Sequence, residues 1–311
     1  MWEDPPMSGP PSTAAAPPPD DRPLPPPQPL WLKLLAALPL PVLYGLMGAA
    51  TTLLRWAGMR RSVIRDNLAG CFPELSRARL DALVRAHYSH VGQMIAEAFK
   101  AARLSPAELA RRVQMNGLDL PRAALAAGKP VLLIASHQAN WEWVLHALAL
   151  NLGFPLDVGY KPIRATWAEN AMYTIRTRFG ARLVPAKELL PDLLKRRSVV
   201  RGIAMLADQA PTSSDFRRWV TFLGRDTAFY MGAEKMAQAT RYATFFVGMR
   251  RTARGRYVID FVPLTAAGEK FAEGALTDRY AALVEAEIRA APADWTWSHR
   301  RWRMQRSVYD G

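Results

Sequence analysis

The stretch ASHQANWEW places His137 and Glu142 five residues apart, directly after the apolar run PVLLIA of residues 130–135. Histidine is the side chain whose ordinary pKa lies closest to neutrality. A carboxylate that accepts its ring N–H fixes the tautomer and leaves the other nitrogen free to take a proton from a hydroxyl. On one continuous helix, five steps of about 100° would point the two side chains roughly 140° apart. A turn over Gln138–Asn140, with a helix starting near Asn140 or Trp141, brings the carboxylate back toward the imidazole. The pair then reads as a general base and its orienting acid. A chance spacing is the alternative and stays open at this point, though a position just beyond a buried strand, where α/β sheets gather their ligands, strengthens the case for chemistry.

The elements that must hold this pair are legible as alternating patterns. Residues 76–120 read as helical, with Leu80, Leu83 and Val84, then Met94, Ile95 and Ala98, at spacings of three and four. Buried-strand runs follow at 130–135, 157–160, 181–185, 202–208, 243–249 and 257–262. Between several of them lie helical patterns at 141–150, 168–179, 186–196 and 232–240, and a last helix, LTDRYAALVEAEIRAA, precedes the ending DWTWSHRRWRMQR. Strands alternating with helices predict an α/β fold with a mixed, partly parallel sheet flanked by helices.

The chain divides into three parts. Residues 1–30 are proline-rich, offer little apolar surface and read as a disordered tail. Residues 31–57 form an apolar segment with only Lys33 charged before Arg55, long enough for a membrane-anchoring helix. Pro39 and Pro41 kink it and leave room for a monotopic or re-entrant seat. Arg55, Arg60, Arg61 and Arg65 crowd its C-terminal side, which sets the large domain, residues 58–311, on the cytoplasmic face.

Composition narrows the chemistry. With 41 Lys and Arg against 27 Asp and Glu, the net charge is +14, which favours an anionic partner: nucleic acid, an acidic protein or a phosphate-bearing membrane. The single cysteine, Cys71, excludes an intramolecular disulfide and a thiolate metal cluster, and reads as a small buried hydrophobe. His87 and His90 sit three apart, but neither a carboxylate nor a third histidine completes a metal set. No metal is expected. His146 reads as helix surface or core. The arginines form no low-complexity arm and the aromatics follow no RNA-binding motif, so nucleic acid is not an expected partner.

Beyond these readings, SHQANWEW resembles the HxxxxE motif of the late acyltransferases of lipid A biosynthesis, a branch of the lysophospholipid acyltransferase superfamily in which HxGNWE is a common form. Gln138 and Ala139 stand where a small residue and glycine are usual. RDNLAGCFPELS (65–76) is similar to the family's NLxxAFPE segment, YKPI (160–163) to its YRP loop and LADQAP (206–211) to its DQ motif. FLGRDTAFYMGAEKMA looks like its glycine-punctuated loop, and WTWSHRRWR like its WxHRR ending. Each match is weak alone. Together they span residues 31 to 306 in the family's order.

The resemblance implies a glycerolipid acyltransferase-like fold with an N-terminal membrane-anchoring helix. It also implies transfer of a fatty acyl chain from an acyl carrier protein thioester to a hydroxyl of a lipid A precursor at the bacterial inner membrane. Acyl-CoA is the other possible donor, and no cofactor is needed beyond the thioester. His137 would be the base and Glu142 its orienting acid. By spacing from YKPI the family's arginine falls on Arg176, and either it or Arg178 would serve the oxyanion or a phosphate. Asp208 matches a functional aspartate, in positioning rather than proton transfer. Tyr160, Lys161 and Arg164 would face an anionic headgroup or phosphopantetheine arm, with Gln209 beside them in the DQ motif. Gly224 and Gly232, within the glycine-punctuated loop, permit tight turns more than they touch substrate. Trp295, Trp297 and Trp302 belong either at the membrane interface, beside Arg300, Arg301 and Arg303, or in the core. Rival readings keep the fold with another acceptor, a phosphoglycerolipid, glycolipid, aminolipid or aryl-polyene-type lipid, or replace catalysis with a basic membrane-tethered adaptor.

Overall fold

The structure, a computed structural model, describes residues 26–212 and 215–306. The expected proline-rich tail lies outside the described residues as far as residue 25. The strands are β1 (Val113–Asn116), β2 (Val131–Ala135), β3 (Leu156–Tyr160), β4 (Arg182–Pro185), β5 (Gly202–Leu206), β6 (Arg217–Phe222), β7 (Arg225–Tyr230), β8 (Ala243–Ala253) and β9 (Arg256–Thr265). Seven of them form one sheet in the order β1-β9-β8-β2-β5-β3-β4. Strands β8, β2, β5, β3 and β4 run parallel, β9 returns antiparallel to β8, and β1 lies parallel to β9. This is the mixed, partly parallel sheet that the alternating pattern predicts.

All five residues of β2 are buried, as a central strand covered on both faces requires. Val131, Leu133 and Ala135 face one layer with Trp143 and Leu148 of α7 (Trp141–Asn151). Leu132 and Ile134 face the other with Val284 and Ile288 of α11 (Ala275–Ala290). Each buried leucine contributes about 1.5–3 kcal/mol by leaving water, so the depth and facing of β2 are fixed before its last residue. His137 continues the parity of Leu133 and Ala135 and emerges on the α7 side.

Two expectations need correction. The single helical stretch over 76–120 is α4 (Arg77–Ala101), α5 (Pro106–Arg112), β1 and α6 (Asp119–Ala126). Ser105 ends the run by capping α5 through the Glu108 N–H, with Pro106 in the first turn where a missing N–H costs nothing. The glycine-punctuated loop is instead the antiparallel hairpin β6–β7 followed by α10 (Gly232–Thr240). Leu223 (φ 52°) and Gly224 (φ 74°) make its two-residue turn, the double positive φ of the hairpin type that matches strand twist.

The apolar segment is not one helix. α1 (Leu30–Ala37) and α2 (Leu40–Trp56) are bent 115° apart, because Pro39 cannot donate into a continuing ladder. Among the described residues no single helix is long and apolar enough to cross a membrane. Instead, α2 packs along α4. A Cβ on Gly92 would lie 2.7 Å from Thr51 Oγ1 and 3.0 Å from the Met47 carbonyl, so the two helices cross closely there.

Candidate active site

The chain leaves β2 through a turn that the rest of the molecule grips from several sides. Ala139 is fully buried at φ 51°, the left-handed region that favours glycine. Its N–H donates to the Asp294 carbonyl (2.9 Å), and its own carbonyl accepts His90 Nε2–H (3.2 Å). Gln138 forms a β-bridge with Trp295. Asn140 caps α7 by accepting the Trp143 N–H (3.1 Å), and its Nδ2 donates to Glu97 Oε2 (2.6 Å). Glu97, fully buried in α4, also accepts the hydroxyls of Tyr44 and Tyr257, each at 2.6 Å.

Strand register then selects the partner of His137. Ala135 pairs with Leu206 across β2 and β5, so two residues further on His137 stands beside Asp208. His137 Nδ1 lies 2.6 Å from Asp208 Oδ1, and the His137 N–H donates to Asp208 Oδ2 at 2.9 Å. Trp295 Nε1–H donates to the same oxygen at 2.7 Å. Burial alone would raise the Asp208 pKa, but the neighbouring His137 ring and these donors overcome it and hold it at about 2. With Nδ1–H given to Asp208, Nε2 is the free lone pair, and the exposed Gln209 amide reaches it at 3.1 Å.

Glu142, expected to orient the imidazole, does not hold a ring nitrogen. It is bound in a two-point ion pair by Arg176 of α8 (Thr166–Thr177), Nε to Oε2 at 2.9 Å and Nη2 to Oε1 at 2.6 Å. Burial opposes its charge, and the guanidinium more than offsets this, keeping Glu142 below the usual carboxylate range. The turn does bring Glu142 to the same mouth as His137. Asp208 occupies the orienting position because strand pairing puts it there first.

The mouth opens into a cavity of about 280 Å³. Its walls are apolar, with Leu133 and Ala135 from β2, Val144 and Leu148 from α7, Val158 from β3 and Val247 from β8. His137, Trp141, Glu142, Lys161, Arg176 and Gln209 ring the polar end, with Tyr160 beside them. The Trp141 ring stands edge-on to the imidazole at 5.1 Å. The arrangement sets a hydrogen-bonded imidazole, the Arg176–Glu142 ion pair and the Lys161 ammonium at the mouth of a largely apolar slot.

Other expected site residues lie elsewhere. Arg178 donates to the carbonyls of Ala102 and Leu104, ties down the α4–α5 connection and lies outside the cavity lining. Arg164 is exposed outside the cavity lining. Gly224 sits at the hairpin turn and Gly232 opens α10 against the Tyr230 ring; neither lines the cavity. Trp295 and Trp297 are core residues, 2% and 0% exposed, rather than interfacial ones. His87 is buried and burial pushes it down to about 4; among the described residues no cluster could hold a metal. His146 is core, fully buried, and also pushed down to about 4. Cys71 is buried, its thiol raised to about 12 by desolvation. Sequence reasoning missed Trp295, Glu97 and His90 as supports. Asn140 alone carried a signal, an N-cap residue directly before an apolar helix.

A carboxylate-paired imidazole at the lip of an apolar slot suits a lipid acyltransferase. The chain belongs to the bacterial lipid A biosynthesis acyltransferase family, whose model matches residues 30–304, and it is an O-acyltransferase. It is similar to the phosphatidylinositol mannoside acyltransferase of Mycolicibacterium smegmatis, 26% identical across 87% of this chain and 88% of that protein. It is equally similar to the lipid A biosynthesis lauroyltransferase of Escherichia coli K12, 26% identical across 89% of each chain. The lipid A biosynthesis palmitoleoyltransferase of the same organism is 24% identical across 79% of each.

Proposed function

We propose that the protein moves a fatty acyl group from a carrier thioester, acyl carrier protein ahead of coenzyme A, to a hydroxyl of a lipid A precursor at the cytoplasmic face of the bacterial inner membrane. The observation that carries this reading is the His137–Asp208 pair opening directly onto an apolar cavity. The acyl chain lies along Leu133 and Leu148 with its carbonyl at the mouth, and the acceptor hydroxyl replaces the Gln209 amide at His137 Nε2. His137 removes the hydroxyl proton as that oxygen attacks the thioester carbon, and Asp208 stabilises the imidazolium. Such assistance gives about 10²–10⁴-fold. Lys161 and Arg176 supply positive charge toward the oxyanion. The carbon–sulfur bond then breaks, and the imidazolium returns the proton to the departing thiolate. No metal enters these steps, so turnover should survive EDTA.

Residues 58–311 form the catalytic unit in this reading, and 31–57 a monotopic seat. On α2, Val42, Leu46, Ala49, Leu53 and Trp56 fall at spacings of four and three and are all exposed, one apolar stripe along the helix. The net charge of +14 steers an acidic carrier protein and holds the domain against anionic lipid. A second acceptor, a phosphatidylinositol mannoside-type glycolipid, is favoured by the Mycolicibacterium relative.

Both acceptors are separable by one assay. Purified protein in detergent is offered acyl carrier protein or coenzyme A thioesters with either glycolipid, and products are read by mass spectrometry. A lipid A precursor gaining one acyl mass, with His137→Ala folded by circular dichroism but nearly inactive, is the expected result. Full turnover in His137→Ala would remove the base from the mechanism.

A further inference from the structure

A second groove lies between α2 and α4, away from the catalytic mouth, with a volume of about 520 Å³. Its α2 wall is Pro41, Gly45, Gly48, Thr52 and Arg55, again at spacings of four and three. This row is the apolar stripe shifted by one residue, so it lies about 100° round the helix from Val42, Leu46, Ala49, Leu53 and Trp56. A helix lying in the interface with its apolar stripe sunk into the acyl boundary carries that flank at headgroup level.

The groove is lined for an anion. Arg55, Arg85 and Arg254 converge on it from α2, α4 and the β8–β9 turn, and no acidic residue lines it. None of the three has a carboxylate partner among the described residues. Arg254 lies over the Tyr44 ring at 5.5 Å, and Ser89 and Gln93 add neutral hydrogen-bonding groups. The floor is open because a Cβ at Gly45 or Gly48 would meet nothing within 4 Å. We propose that this groove binds the phosphate of an anionic glycerophospholipid, one whose headgroup carries no compensating cation, while the neighbouring stripe takes the acyl region. The proposal rests on the membrane seat given above. It also gives occupancy a path to the site, since Tyr44 lines the groove and its hydroxyl bonds Glu97, which in turn holds Asn140 beside His137.

The test uses the full chain and vesicles of phosphatidylcholine alone or with phosphatidylglycerol, at fixed ionic strength. Wild type is expected to bind both, and the phosphatidylglycerol vesicles more tightly. Replacing Arg55, Arg85 and Arg254 together by Gln should weaken phosphatidylglycerol binding at least tenfold, because a basic residue near an anionic leaflet is worth about fivefold. Phosphatidylcholine binding and acyl transfer in detergent should stay unchanged. Gly45→Gln with Gly48→Gln, which fills the groove and keeps its charge, should reproduce the loss. Replacing the exposed Lys187, Lys195 and Arg197 by Gln should not. Equal phosphatidylglycerol affinity in the triple arginine variant, no effect of the two glycine substitutions, or the same loss in the control variant would each overturn the groove. So would arginine-dependent binding of inorganic phosphate or acyl carrier protein without any effect on vesicles. A wild type that binds neither vesicle sinks the membrane seat as well, whereas one that binds both equally sinks the groove alone.

Discussion

The imidazole of His137 has two carboxylates near it, and they are held by different means. Asp208 accepts three donors, two of them from His137 itself, so its charge and its position are set by the group it serves. In Asp208→Asn the amide NH2 must face either the imidazole N–H or the pair of donors from the His137 backbone and Trp295. The expected outcome is a 10²- to 10⁴-fold fall in kcat in a folded protein, measured with saturating donor and acceptor. Glu142 answers to Arg176 instead. Removing one partner of such a buried pair costs about 3 kcal/mol, so Glu142→Gln and Arg176→Gln should each destabilise the fold. The double variant should lose less than the sum, as read from urea unfolding; strict additivity would contradict the pairing. The five-residue spacing was legible in the sequence and does bring Glu142 to the mouth. That Asp208, 71 residues away, holds the ring depends on β5 pairing with β2. Strand order is a property of the assembled sheet, and no local pattern encodes it.

Local patterns did fix the central elements: the apolar runs that became β2, β3, β5, β8 and β9 read correctly, as did α7 and α11. Misreadings came where one signal served two structures. An apolar run of suitable length suggested an anchor helix kinked at its prolines; the 115° break at Pro39 goes further and leaves two separate helices, α1 and α2, whose buried Leu32, Leu40 and Leu43 face the protein. The glycine-punctuated stretch read as a loop, whereas β7 and α10 occupy most of it; Gly224 holds the tight turn expected of it, at the head of the hairpin. The turn between β2 and α7 shows what its sequence departure means. Ala139 occupies the position where glycine is usual in the family, and it holds the left-handed conformation that makes glycine usual. An alanine there carries strain of about 1–2 kcal/mol, part of which a glycine relieves. Ala139→Gly should therefore raise stability by about 1 kcal/mol and keep activity, while Ala139→Val should lose both, because the position is fully enclosed. Thermal unfolding and turnover of the two variants test this directly.

At the scale of the whole molecule, buried histidines set the acid limit of the fold. Burial pushes His146 from 6.5 down to about 4, so it stays neutral in the folded protein while the unfolded chain takes up a proton below 6.5. Between pH 6.5 and 4 the unfolded state binds more protons, and stability falls as pH falls. The shift corresponds to about 3 kcal/mol. Urea unfolding of wild type and His146→Leu across this window should show their stability difference moving by that amount in favour of the variant. A difference that ignores pH would mean the ring is not held neutral.

The cavity adds a last consequence, because the single passage from β2 to α7 supplies both His137 and two faces of the apolar cavity. Deepening the slot at Leu133 or Leu148 would disturb the scaffold under His137. Val247 lies on β8, a strand that gives nothing to proton transfer, and it lines the same space. Under the mechanism proposed above, Val247 substitutions are therefore expected to change the preferred fatty chain length while leaving the His137–Asp208 geometry intact.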